Sequence, residues 1–289
     1  MFRGGGPCRS RAFRPDRARA ESRSPGPQVS GEAPSNVRWV EFGEHIEQLT
    51  AHAAALRSDV VACGPDPAVP TCPGWAVRQL VRHLARVYQW VERALRSAPD
   101  AQDAPRADEP PAEWPELIAY WDARLAALLT ALTELGPDAP TWVFAGADTA
   151  TARFWARRQA HETAIHRLDA MHARIGSVDP SAVGELYDIG FAADGIDEAL
   201  RVIIPRQLRR TPPPRGGSVL VHAVDTDLAW TVRLSADGEP MRVDAGGPAN
   251  PADASVSGSA DQVYRAIWRR PSRAVRRGDL GLTAALTPP

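Results

Sequence analysis

No lysine occurs in the 289 residues, so all 34 basic side chains are arginines. Either residue serves on a solvated surface. Total exclusion of one therefore points to the nucleotide composition of the gene, that of a GC-rich, actinobacterial genome, more than to the fold. Cysteine is scarce: Cys8, Cys63 and Cys72 are too few and too irregularly spaced for a disulfide framework, which implies a reducing cytoplasm. No apolar run approaches the roughly 20 residues of a membrane helix. Excess charge of one sign is missing too. A formal net charge of -1 and a pI near 6.7 give nothing to attract nucleic acid. The expectation is a cytoplasmic globular protein, a monomer or small homo-oligomer, with no nucleic-acid or membrane partner.

Residues 1–36 are rich in Arg, Ser, Pro and Gly and nearly lack large apolar side chains. Such a segment cannot bury enough surface to offset its ordering entropy, so a disordered tail is expected. It also lacks the apolar centre of a secretory signal. The remainder, in a chain with 44% hydrophobic residues, is long enough for about two domains. Helical spacing begins with Val40, Phe42, Ile46, Leu49, Ala53 and Leu56. A second helix follows TCPGW from about Ala76 to Leu95, with Val77, Leu80, Val81, Leu84, Tyr88 and Val91 as a regular stripe. A third starts at EWPEL and stops at Gly136-Pro137, and a fourth runs from about Ala152 to Ile175. Four such helices predict a bundle over residues 37–209, with a further helical stretch from Ser181 to Ile204 packed against it.

After the proline-rich run at 210–217 the pattern changes. Short β-branched runs, SVLVHAV, LAWTVRL and ASVSGSA, are separated by turn formers at Asp225-Thr226-Asp227 and Ala236-Asp237-Gly238. A helix with Ser259 as N-cap follows. Residues 217–287 are thus expected to form a small α+β domain, making the chain α+β overall.

Chemistry concentrates on the second and fourth helices. Glu162 and His166 are four apart and share a helix face with Trp155, Gln159 and Asp169. His83 flanks the stripe of the second helix, so two helices can bring His83, Glu162 and His166 to one divalent ion. A solvated face with an ordinary i,i+4 pair, and a hydrogen-bonded lone histidine, are the competing readings. The zinc-protease pattern of two histidines four apart does not apply, because His161 and His166 are five apart. His161 is then a packing or surface residue, and Asp169 a candidate to orient His166. Cys72 is expected to be a small buried residue with no histidine nearby in sequence, Trp75, Trp121 and Trp155 to pack in the bundle, and the basic run 269–279 to be a solvated surface or an anion site.

A Cys-Pro-Gly-Trp entry to a His-bearing helix, followed by a helix reading R..AHE...HR.DA and a small α+β domain, resembles the mycothiol-dependent maleylpyruvate isomerase family. The matching residues are Pro73, Gly74, Trp75, His83, Arg158, His161, Glu162, His166, Arg167, Asp169 and Ala170. The resemblance implies a DinB-like four-helix bundle and a sterol-carrier-like second domain. It implies that His83, Glu162 and His166 bind a divalent metal, zinc as a rule, with an open position where mycothiol is held as thiolate. Addition of that thiolate to an activated alkene, rotation and elimination would convert cis to trans, as from maleylpyruvate to fumarylpyruvate. Thiol transfer to another electrophile would use the same sulfur. An anionic substrate needs a cationic partner, for which Arg158 or an arginine of the second domain is a candidate. A metal-binding or small-ligand-binding regulatory protein without turnover is the alternative.

Overall fold

Why α4 becomes the axis of the molecule is written in its composition. Ala152–Ile175 interleaves Ala152, Ala156, Ala160, Ala164, Ala170 and Ala173 with larger side chains, so neighbouring helices can approach closely on several sides, and most of its residues are buried. The computed structural model describes residues 39–144, 149–226, 228–237, 239–247 and 251–286. The expected disordered tail and the turn residues Asp227 and Gly238 lie outside them.

The expected helices are present as α1 (Phe42–Cys63), α2 (Val77–Leu95), α3 (Trp114–Leu135) and α4. Helix α1 packs along α4, α2 packs along α3, and α2 also faces α4. Gly64, Gly136 and Gly176 end α1, α3 and α4 at positive φ, where a side chain would be strained. The stripe of α2 is wholly buried, from Val77 to Val91. Its outer face carries Arg82, Arg86 and Arg93, which tie down the following loop through Glu109 and Asp108.

The helical stretch expected from Ser181 starts later. Residues 181–188 form turns, and Asp188 caps α5 (Ile189–Glu198) by accepting from the Phe191 N–H. A π turn over Ala199–Ile203 and the short α6 (Ile204–Leu208) follow. Helix α5 packs on α7 (Ala260–Ile267). At that crossing, a Cβ on Gly195 would lie 2.3 Å from the Tyr264 ring and 2.8 Å from His161 Nδ1. The bare backbone is what lets α5 come so close. Gly195→Ala is therefore expected to lower stability by about 1–3 kcal/mol, read as a fall in Tm without loss of helical circular dichroism.

The second half is a five-stranded sheet in the order β3-β2-β1-β4-β5. Strands β1 (Gly217–Ala223), β2 (Leu228–Leu234) and β4 (Ala254–Gly258) are the three expected runs. Strand β1 pairs antiparallel with β2 and parallel with β4. Val219, Val221 and Ala223 alternate inward, as a half-buried strand requires. The edges β3 (Arg242–Ala245) and β5 (Val275–Gly278) were not expected, because their exposed, Arg-bearing residues show no apolar alternation. Ser259 caps α7 as expected, accepting from the Gln262 N–H, and α8 (Leu280–Ala285) closes the chain. Among the described residues no helix is long and apolar enough to cross a membrane.

Candidate metal centre

Helix α2 enters through a fixed turn. Pro73 precedes Gly74 at φ 84, and the Ala76 N–H is capped by Gln79 Oε1 at 2.9 Å. This entry sets the rotation of α2, and His83 emerges one and a half turns later towards α4. There Glu162 Oε1 lies 2.9 Å from His83 Nε2 and 3.5 Å from His166 Nε2. The three expected residues are thus brought together from two helices, with donor atoms all within 4.8 Å of one another.

Two imidazoles and a carboxylate are a zinc-type donor set. Donors about 2.0–2.2 Å from a tetrahedral ion stand roughly 3.3–3.6 Å apart, so the residues need only small rotations to accommodate one. Exposure is graded across the set: the side chains of His83, Glu162 and His166 are 33%, 20% and 10% exposed. One side of the trio therefore opens to solvent, which leaves room for a further ligand. The Trp75 ring, 5.2 Å from His83 and 6.2 Å from His166, walls another side.

What holds these groups is a second layer of polar contacts. His166 Nδ1 is 2.9 Å from Asp169 Oδ2, and an N–H there directs the Nε2 edge of the ring towards Glu162. Asp169 is fully buried, and Thr71 Oγ1 donates to Oδ1 at 2.5 Å, the Cys72 thiol to Oδ2 at 3.3 Å, and Arg270 to both oxygens at 2.7 Å. Although burial alone would raise the Asp169 carboxyl, the Arg270 charge and the His166 contact hold it well below the carboxylate range. Burial opposes the charged form of His166, yet Asp169, Cys72 and Glu162 together push its pKa well up. The Glu162 carboxyl, raised by burial, is brought down by His166, His83 and Arg158. His83 is lowered, chiefly by burial.

The structure refines several expectations. Asp169 does contact His166. Cys72 is only partly buried and joins the site, because the histidine and carboxylate beside it come from α4, nearly a hundred residues away in sequence. Arg270, within the basic run, is an internal partner of Asp169. It follows Arg269, which sits at φ 57, the left-handed turn that ends α7 and aims Arg270 inward. Arg158 is 4% exposed and engaged, donating to Glu162 Oε2 at 3.1 Å and to Glu198 Oε2. Only three-dimensional proximity could have found Arg270 and Glu198.

A second buried cluster lies beyond the opposite face of α4. His161 Nε2 and His45 Nε2 are 2.8 and 3.0 Å from Asp194 Oδ2, and Arg157 Nε donates to the same oxygen at 3.0 Å. His161 Nδ1 meets the Tyr264 hydroxyl at 3.0 Å. Arg157 already compensates Asp194, so this is a buried polar joint between α1, α4, α5 and α7. Burial is the main cause that lowers His161 to about 4 and the nearby His52 to about 3. Their folded pKa values lie below the unfolded 6.5, so the stability they contribute is present above pH 6.5 and is lost as pH falls towards 4. Roughly 2 kcal/mol per histidine is expected to be lost by pH 5. Urea unfolding at pH 7.5 and 5 measures this, and His52→Gln is expected to flatten the acid limb.

A family model described as the mycothiol maleylpyruvate isomerase N-terminal domain matches residues 46–171, and the C-terminal domain model of the same family matches residues 190–287. A crystal structure of the mycothiol-dependent maleylpyruvate isomerase is 16% identical with a TM-score of 0.52, over 83% of this chain and 95% of that one. A variant of that enzyme with one histidine replaced by alanine aligns over the same shares at 16% identity and a TM-score of 0.53. No curated sequence matches the chain with significance. Together the two domain models span most of the chain in the order of its helical and sheet-bearing halves, and the chain belongs to the mycothiol-dependent maleylpyruvate isomerase family.

Proposed function

We propose that the chain is a mycothiol-dependent metalloenzyme in which His83, Glu162 and His166 hold a divalent ion, with zinc as the first candidate, and whose reaction is cis–trans isomerisation of an activated alkene or transfer of the thiol to an electrophile. The observation that carries this reading is the directed donor set: Asp169 fixes the His166 ring so that Nε2 faces Glu162 Oε1, beside His83, on a side open to solvent. A bound divalent ion supplies one piece of chemistry, depression of a thiol's pKa so that the sulfur is nucleophilic at neutral pH.

The remaining work falls to the protein. Asp169 keeps the His166 proton on Nδ1 and stabilises positive charge on the ring. Trp75 gives the site an apolar wall, which keeps water from the reacting sulfur. Arg158 faces Glu162 and Glu198 from within the protein, so in this reading it tunes the ligand set, and a substrate carboxylate has to draw Arg158 out or meet another cation.

The test is turnover of maleylpyruvate by purified zinc-supplied protein with and without mycothiol. Isomerisation that requires the thiol supports the reading. An equal rate without thiol contradicts it. Binding of ion and thiol with no turnover of any electrophile leaves a ligand-binding protein.

A further inference from the structure

The metal reading leaves one buried carboxylate without a role. Glu198, the last residue of α5, is 1% exposed, and its Oε1 has no hydrogen-bond partner among the described residues. Its Oε2 accepts from Arg158 Nη1, while Nη2 of the same guanidinium donates to the outer oxygen of Glu162, Oε2, at 3.1 Å. One arginine therefore lies between a metal-ligand candidate and a second carboxylate. The Trp268 ring covers it, 5.0 Å from the guanidinium carbon, so water screens the three charges weakly. The local backbone serves this approach. Gly195, one turn earlier, lets α5 close onto α4 and α7, and the π turn begins directly after Glu198.

Burying a carboxylate with one oxygen unpaired costs free energy, and burial pushes the Glu198 carboxyl up to about 7. Such a cost is kept where the charge acts on something. An arginine paired with Glu162 alone would neutralise the ligand and draw it away from the histidines. Shared with Glu198, the same arginine neutralises Glu162 less completely, and Glu162 keeps Oε1 for the space between His83 and His166.

We propose that Glu198 is a positioning residue for the metal centre, acting through Arg158: it takes up part of the arginine's charge and hydrogen bonding, so that Glu162 remains a strong, directed ligand. This rests on the metal reading above, which can fail separately. The experiment is the zinc dissociation constant by chelator competition, on the full chain at about pH 8, where Glu198 is largely ionised, for wild type, E162A, E198Q, R158Q, R158Q/E198Q and E198D. Circular dichroism melting accompanies each variant.

Wild type is expected to bind about one ion per chain and E162A none. E198Q is expected to weaken binding roughly 10- to 100-fold. The same substitution in the R158Q background is expected to change affinity less than about twofold, since the cation it acts through is gone. E198D, which keeps the charge, is expected to retain more affinity than E198Q. Equal losses in both backgrounds, or a folded E198Q with wild-type affinity, overturn the role of Glu198 and leave the metal site standing. If E198Q does not fold, E198D and the double variant against R158Q decide by the same comparison. Absence of zinc binding in wild type overturns the metal reading and this role with it.

Discussion

Alanine at Glu162 is expected to remove the divalent ion and the thiol-dependent activity together. The Glu162 carboxylate bridges the two histidines, at 2.9 Å from His83 and 3.5 Å from His166, so its loss breaks the set at its centre. Removing an outer partner of a ligand typically costs 10- to 100-fold in affinity, and loss of a ligand itself is expected to exceed about 100-fold. The fold is expected to survive. Glu162 lies on the accessible rim, and without it Arg158 retains Glu198. Elemental analysis and thermal melting of the same sample measure the two effects separately. Retained metal in the variant would move the site elsewhere.

Asp169→Asn carries the largest expected loss of stability. Asp169 is fully buried and is, among the described residues, the one carboxylate in hydrogen-bonding contact with Arg270, whose side chain is 13% exposed. Removing the negative charge leaves a largely buried guanidinium uncompensated, which costs about 3–5 kcal/mol. His166 at the same time loses the acceptor that fixes its tautomer. A fall in unfolding free energy of at least about 3 kcal/mol, with weakened metal binding, is the expected result of urea titration. Arg270→Ala is the control, because Asp169 then keeps His166, Thr71 and Cys72. A loss below about 1 kcal/mol in Asp169→Asn would mean that this network does not hold the domains and the site together.

The helices were legible because each carries its own periodicity and stop signal, and the stripe of α2 alone places His83 on its flank. The pairing of Glu162 with His166 followed from helical spacing, and convergence with His83 was a reasonable consequence of two facing helices. Edge strands β3 and β5 were invisible for the opposite reason: their pairing is decided by neighbours, and their side chains are exposed. The same holds for the supporting residues. Cys72, Arg270 and Glu198 acquire their meaning from partners 97, 101 and 40 positions away, and no local pattern encodes such a meeting. Arg158 shows the limit most directly. Its charge made it one candidate for a substrate anion, and its burial between two carboxylates, which no local pattern encodes, is what suggests support of the ligand set instead.

The central claim, that His83, Glu162 and His166 hold an ion open to a thiol, is tested most directly by replacing the metal with cobalt(II) and adding mycothiol. A new near-ultraviolet thiolate-to-cobalt charge-transfer band, saturating at about one thiol per ion and absent in Glu162→Ala, is the predicted result. A cobalt spectrum unchanged by saturating thiol, in protein that binds one ion per chain, would contradict it.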